Sequence, residues 1–173
     1  SQEGQRWDVF RYNNLAHSTL TVNGKYHRVK GFVPVTNIYS DDHKLGASLE
    51  MTGLFGGDLK SAVREVALIN EKYLSVTDRV QADGQPASVR WTIVTGAVPR
   101  VLDSHMVELK KDGKCMQLIV DSPSATAVSI LDNVSKNSYD APNEGTYRVV
   151  FDVNLESGQS EEIKVRLVPA TDR

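Results

Sequence analysis

The side chains best suited to acid–base chemistry or metal binding are four histidines: His17, His27, His43 and His105. No pair has the i, i+4 spacing of a zinc-binding helix, and no H-x-H pair occurs. Strands can still bring distant residues together, and His17 and His27 lie on either side of an Asn23-Gly24 turn. Facing each other across that turn, their ring nitrogens could bind a metal with a carboxylate supplied from elsewhere. His43 sits in YSDDHK beside Asp41 and Asp42. That segment reads as a hydrated acidic loop or as a weak calcium site without a known loop pattern.

Nucleophile chemistry finds less support. There is no G-x-S-x-G elbow, and Ser18 beside His17 would point to the opposite face of a strand. The loop TGLFGGD, Thr52 to Asp58, lacks the spacing and the lysine of a phosphate-binding loop. It reads as a bulge or wide connection between sheets, with a ligand-contacting loop as the alternative. Cys115, the one cysteine, lies among apolar residues in GKCMQLIVDS and reads as a buried, inert thiol. A single cysteine also excludes an internal disulfide and a cysteine-based zinc cage. Glu161-Glu162 reads as a solvated hairpin shoulder. Trp7 and Trp91 fall inside expected strands, where such area usually means core. Stacking on a sugar ring is the other use of an aromatic face, and Trp7, Tyr12 and Tyr26 are the candidates for it.

The elements that must position these residues are strands. Short runs rich in Val, Ile, Thr and aromatics alternate with polar residues at period two. Expected strands are Arg6 to Tyr12, His17 to Val22, Tyr26 to Val29, Val33 to Tyr39, Leu45 to Thr52, Ala62 to Ile69 and Tyr73 to Val80. Further strands are expected at Ser88 to Thr95, Met106 to Lys110, Cys115 to Asp121, Ala125 to Leu131, Thr146 to Leu155 and Glu161 to Val168. Turn chemistry separates them at Asn23-Gly24, Asn70-Glu71-Lys72, Asp83-Gly84, Asp112-Gly113 and Ser157-Gly158. The best helix candidate, Gly57 to Glu65, reads equally as a loop before a strand. Asp132 to Gly145 reads as the long surface loop. The expected fold is all-β, an antiparallel β-sandwich with little or no helix, over one domain spanning residues 1–173.

Composition narrows the partners. Hydrophobic residues make up 40% and charged residues 24%, ordinary values for a globular domain. The net charge of −2 offers no electrostatic footprint for nucleic acid and no polybasic membrane patch. No apolar run approaches the roughly 18 residues of a spanning helix. The opening SQEGQRWDVF has no initiator Met and no apolar signal core. The expectation is a piece of a larger protein.

RYNNLAHSTLTVNG, residues 11–24, resembles the A-H-[NS]-T-L-x-V-[DN]-G run of the heparinase II/III family. VREVALI, YLSVTDRV and SVRWTIV then follow in the order of that family's strands, so the resemblance covers residues 6–95. It implies the C-terminal β-sandwich of a polysaccharide lyase, whose N-terminal α/α toroid would be the partner. The substrates implied are acidic polysaccharides containing uronic acid, such as heparan sulfate or alginate. The implied chemistry is β-elimination: a base takes the C5 proton while an acid protonates the departing oxygen. Those residues lie in the toroid and in an upstream H-x-H/D-x-G stretch that this chain lacks, so no catalytic residue is assigned. The resemblance makes His17 a ligand of a structural metal, usually zinc, with a histidine and an aspartate from the upstream stretch as its partners. In this chain alone it implies no held zinc and no turnover. The substrate class implies a periplasmic or secreted parent. A non-catalytic carbohydrate-binding sandwich using Trp7, Tyr12 and Tyr26 is the alternative. A structural module that docks the toroid through an apolar patch is another.

Overall fold

A computed structural model describes residues 5–170. Twelve strands make two antiparallel sheets, as period-two patterning requires. They are β1 (Leu20–Val22), β2 (Val35–Ser40), β3 (Lys44–Glu50), β4 (Leu59–Ile69), β5 (Tyr73–Ala82) and β6 (Ala87–Thr95). The others are β7 (Val98–Asp103), β8 (Met106–Lys111), β9 (Lys114–Val120), β10 (Ser129–Asp132), β11 (Tyr147–Leu155) and β12 (Ser160–Ala170). The smaller sheet has the order β1-β6-β11-β10, and the larger β2-β3-β4-β5-β12-β9-β8-β7.

Alternate side chains of both sheets meet in the core. In the smaller sheet Leu20, Trp91 and Phe151 form one register row, and the Trp91 and Phe151 rings stack at 5.4 Å. Ile163, Val165, Leu118 and Val107 face them from the larger sheet, all fully buried. Turn residues set the registers. Asn23-Gly24 and Asp112-Gly113 hold positive φ at both positions, as do Asn70 and Glu71. That is the conformation a two-residue hairpin turn needs to match strand twist.

The larger sheet extends beyond the smaller. At the β2–β3 end its inner face carries Ile38 and Leu45, 74% and 58% exposed. Gly46, facing the other way on β3, is a close approach. A Cβ there would lie 2.1 Å from the Val66 carbonyl oxygen, so β3 and β4 pair at this spacing only with glycine.

Several expectations require correction. Arg6 to Tyr12 is not a strand: Gln5–Asp8, Phe10–Tyr12 and Asn14–Ala16 are successive 3₁₀ turns. The Asn13 amide donates to the Trp7 and Val9 carbonyls and ties the turns there, and Trp7 is half-buried rather than core. Tyr26 to Val29 forms no strand, because its backbone pairs with Asn14 and Leu54 instead of with β1. Two strands shrink at their N-terminal ends, to Leu20–Val22 and Ser129–Asp132, and β7 (Val98–Asp103) was hidden by its proline. Gly57 to Glu65 is no helix, since β4 starts at Leu59. The TGLFGGD loop joins neighbouring strands of one sheet, β3 and β4, and buries Phe55 in the core. Cys115 is half-exposed on the outer side of β9 rather than buried.

Candidate functional site

The N-terminal turns fold back over the inner face of β3 and β4 and leave a cleft of about 400 Å³. Asn14, only 6% exposed, is the residue that builds it. Its amide donates to Thr21 Oγ1 at 2.8 Å and to the Lys25 carbonyl at 3.2 Å. Its Oδ1 accepts the His27 backbone N–H at 2.9 Å. One side chain therefore ties the 3₁₀ turns to β1 and to the segment after the Asn23-Gly24 turn. Asn13 holds the preceding turn by donating to the Trp7 carbonyl at 3.2 Å.

Trp7, Tyr12, His17 and Tyr26, the four residues singled out from sequence, all line this cleft. His27, Arg28 and Arg64 line it too. His17 Nε2 donates to the Arg11 carbonyl at 3.2 Å, and His27 Nε2 donates to the Leu20 carbonyl at 2.7 Å. Both bonds place a proton on Nε2, since a carbonyl oxygen can only accept. Burial is the main cause that moves the His27 pKa below its ordinary value, with smaller contributions from His17 and Arg64. The neutral ring also packs edge-on against Phe55 at 5.4 Å. Tyr12 and Tyr26 are 41% and 47% exposed, and the Tyr12 ring lies under the guanidinium groups of Arg6 and Arg11. Arg11 lies over the Tyr12 ring at 4.8 Å and donates to its hydroxyl at 3.0 Å.

Charge is the unusual property of this cleft. Among the described residues its lining contains two arginines and two histidines but no aspartate or glutamate, although the chain carries a net charge of −2. Arg64 lies in a register row with Leu49, Asp78 and Ile163, on the inner face where apolar residues are the rule. It is held by Asp78 through two parallel bonds, Nε to Oδ1 at 2.7 Å and Nη2 to Oδ2 at 2.9 Å. Sequence reasoning weighed His27 only as a metal partner of His17, and it missed Arg64 and Arg28 as site residues. The signal was there, in a pair of charges occupying inward positions of VREVALI and YLSVTDRV.

The described residues do not make a complete zinc site by themselves. Among the described residues no group of three or more His, Cys, Asp or Glu side chains could hold a metal, whereas zinc takes about four ligands. The Asp41–Asp42–His43 segment is a turn between β2 and β3. Asp41 Oδ1 accepts the backbone N–H groups of His43 and Lys44, both at 2.8 Å, and these bonds lower its pKa.

Fold and cleft together define a two-sheet β-sandwich module with a basic, aromatic cleft beside its N-terminal turns. The chain belongs to the heparinase II/III-like C-terminal family, whose model matches residues 1–166. Among solved structures it is similar to the heparan sulfate lyase HepC of Pedobacter heparinus, at 16% identity and a TM-score of 0.71. The match covers 91% of this chain and 24% of that one. A heparinase III matches at 13% identity and a TM-score of 0.71, over 90% of this chain and 24% of that chain. The chain thus spans about a quarter of the length of these proteins. No curated protein sequence matches it.

Proposed function

We propose that this chain acts as the C-terminal wall of an acidic-glycan groove in a longer polysaccharide lyase that cleaves uronate-containing chains by β-elimination. The observation that carries the reading is the cleft lining of two arginines, two histidines, one tryptophan and two tyrosines, with no carboxylate among the described residues. Such a surface suits a ligand that is both a sugar and an anion: rings stack on sugar faces, and guanidinium groups attract carboxylates. The remainder of the longer protein supplies the base that takes the C5 proton and the acid that protonates the leaving oxygen. His17 contributes one donor to a metal whose other ligands come from that remainder. The exposed apolar overhang of Ile38 and Leu45 suits contact with an N-terminal toroid. A glycan substrate of this kind places the whole protein in the periplasm or outside the cell.

Alone, the chain is catalytically inert. Incubated with heparan sulfate or alginate, it is expected to release no unsaturated uronate, read by ultraviolet absorbance; steady turnover by the isolated chain would overturn this. A non-catalytic glycan-binding role is the second reading, favoured by the exposed ring of Tyr26 at the cleft. In that case the longer protein binds the glycan and also leaves it uncleaved.

A further inference from the structure

We infer that Arg64 is the group in the cleft that recognises a glycan carboxylate, and that Asp78 is its positioning residue. This rests on the acidic-glycan reading of the cleft. Arg64 is 9% exposed and Asp78 fully buried, yet Arg64 lines the cleft. Asp78 takes up Nε and one Nη of the guanidinium. The other Nη makes no hydrogen bond among the described residues, and it is not among their sealed, unpartnered polar atoms. A donor is therefore held rigidly at the cleft, with its side-chain entropy already lost to the Asp78 fork.

The charge balance decides what this donor can do. Asp78 cancels most of the Arg64 charge, so Arg64 supplies direction and Arg28, on the same lining, supplies net positive charge. A ligand carboxylate is suited to that combination, because a charge-assisted N–H···O bond strengthens where water is excluded. A neutral sugar of the same shape would leave the donor without its anionic acceptor. The inner-face location also accounts for a charged pair in a row otherwise bounded by Leu49 and Ile163. For stability alone, apolar residues of similar volume serve as well or better at such a position.

The probes are an unsulfated heparosan hexasaccharide, whose anionic groups are carboxylates only, and its carboxyl-reduced, neutral counterpart. Binding of each to the chain is measured by calorimetry. The native chain is expected to prefer the carboxylated sugar by tenfold or more, and Arg64→Met/Asp78→Leu to bind both alike while keeping its circular dichroism. Should that variant not fold, Arg64→Lys, which keeps the charge but not the planar fork, is expected to cut the preference several-fold. Undiminished preference in a folded variant would overturn the assignment of Arg64 and leave the glycan reading standing. Binding of neither sugar by the native chain would overturn the glycan reading itself.

Discussion

Arg64→Ala is expected to destabilise the fold by about 3–5 kcal/mol. The reason lies with the partner left behind. Asp78 is fully buried between β4 and β12, and both its oxygens bond to Arg64. Removing the guanidinium leaves an inward-facing carboxylate without either of its charge-assisted hydrogen bonds. Urea denaturation of native and variant chains measures the loss. Replacing both partners with apolar side chains is expected to recover most of it, because the desolvation cost of both charges disappears together. Equal loss in the single and double variants would show that shape, rather than charge, matters at this position.

Trp91→Ala is expected to cost a similar about 3–5 kcal/mol, by a different route. Trp91 stands at the centre of the smaller sheet, between Leu20 and Phe151, and is 2% exposed. Truncation removes the stacked ring and leaves a cavity that two regular strands cannot close. In a chain of this size a loss of that order lowers the melting temperature by about 10 °C. Trp91→Phe separates the contributions. Among the described residues the indole Nε1 is buried without a hydrogen-bond partner, so phenylalanine removes an uncompensated donor along with some area. Its cost is expected to be well under half that of alanine, measured in the same denaturation series.

The sandwich was legible because its determinants are local. Period-two runs such as SVRWTIV and YRVVFDVNL state which face is buried, and turns such as Asp112-Gly113 state where the chain reverses. The cleft was only half legible. A resemblance and a turn singled out His17, Tyr12 and Tyr26, but their convergence depends on Asn14, whose three hydrogen bonds reach residues 7 to 13 positions away. Alternation over Arg6 to Tyr12 suggests a strand because nothing in it reveals that the Asn13 amide binds the Trp7 and Val9 carbonyls and holds turns instead. Arg64 and Asp78 were hidden for the opposite reason. Each reads as an ordinary surface charge until β4 and β5 pair and turn both inward.

The central claim is that the cleft built by the N-terminal turns, β3 and β4 is where an acidic glycan binds. Titrating the ¹⁵N-labelled chain with the heparosan hexasaccharide and following backbone amide shifts tests it directly. Shifts concentrated at Trp7, Tyr12, His17, Tyr26 and His27, saturating with one binding curve, are the predicted result. Shifts concentrated on β7 to β9, at the opposite edge of the larger sheet, would contradict it.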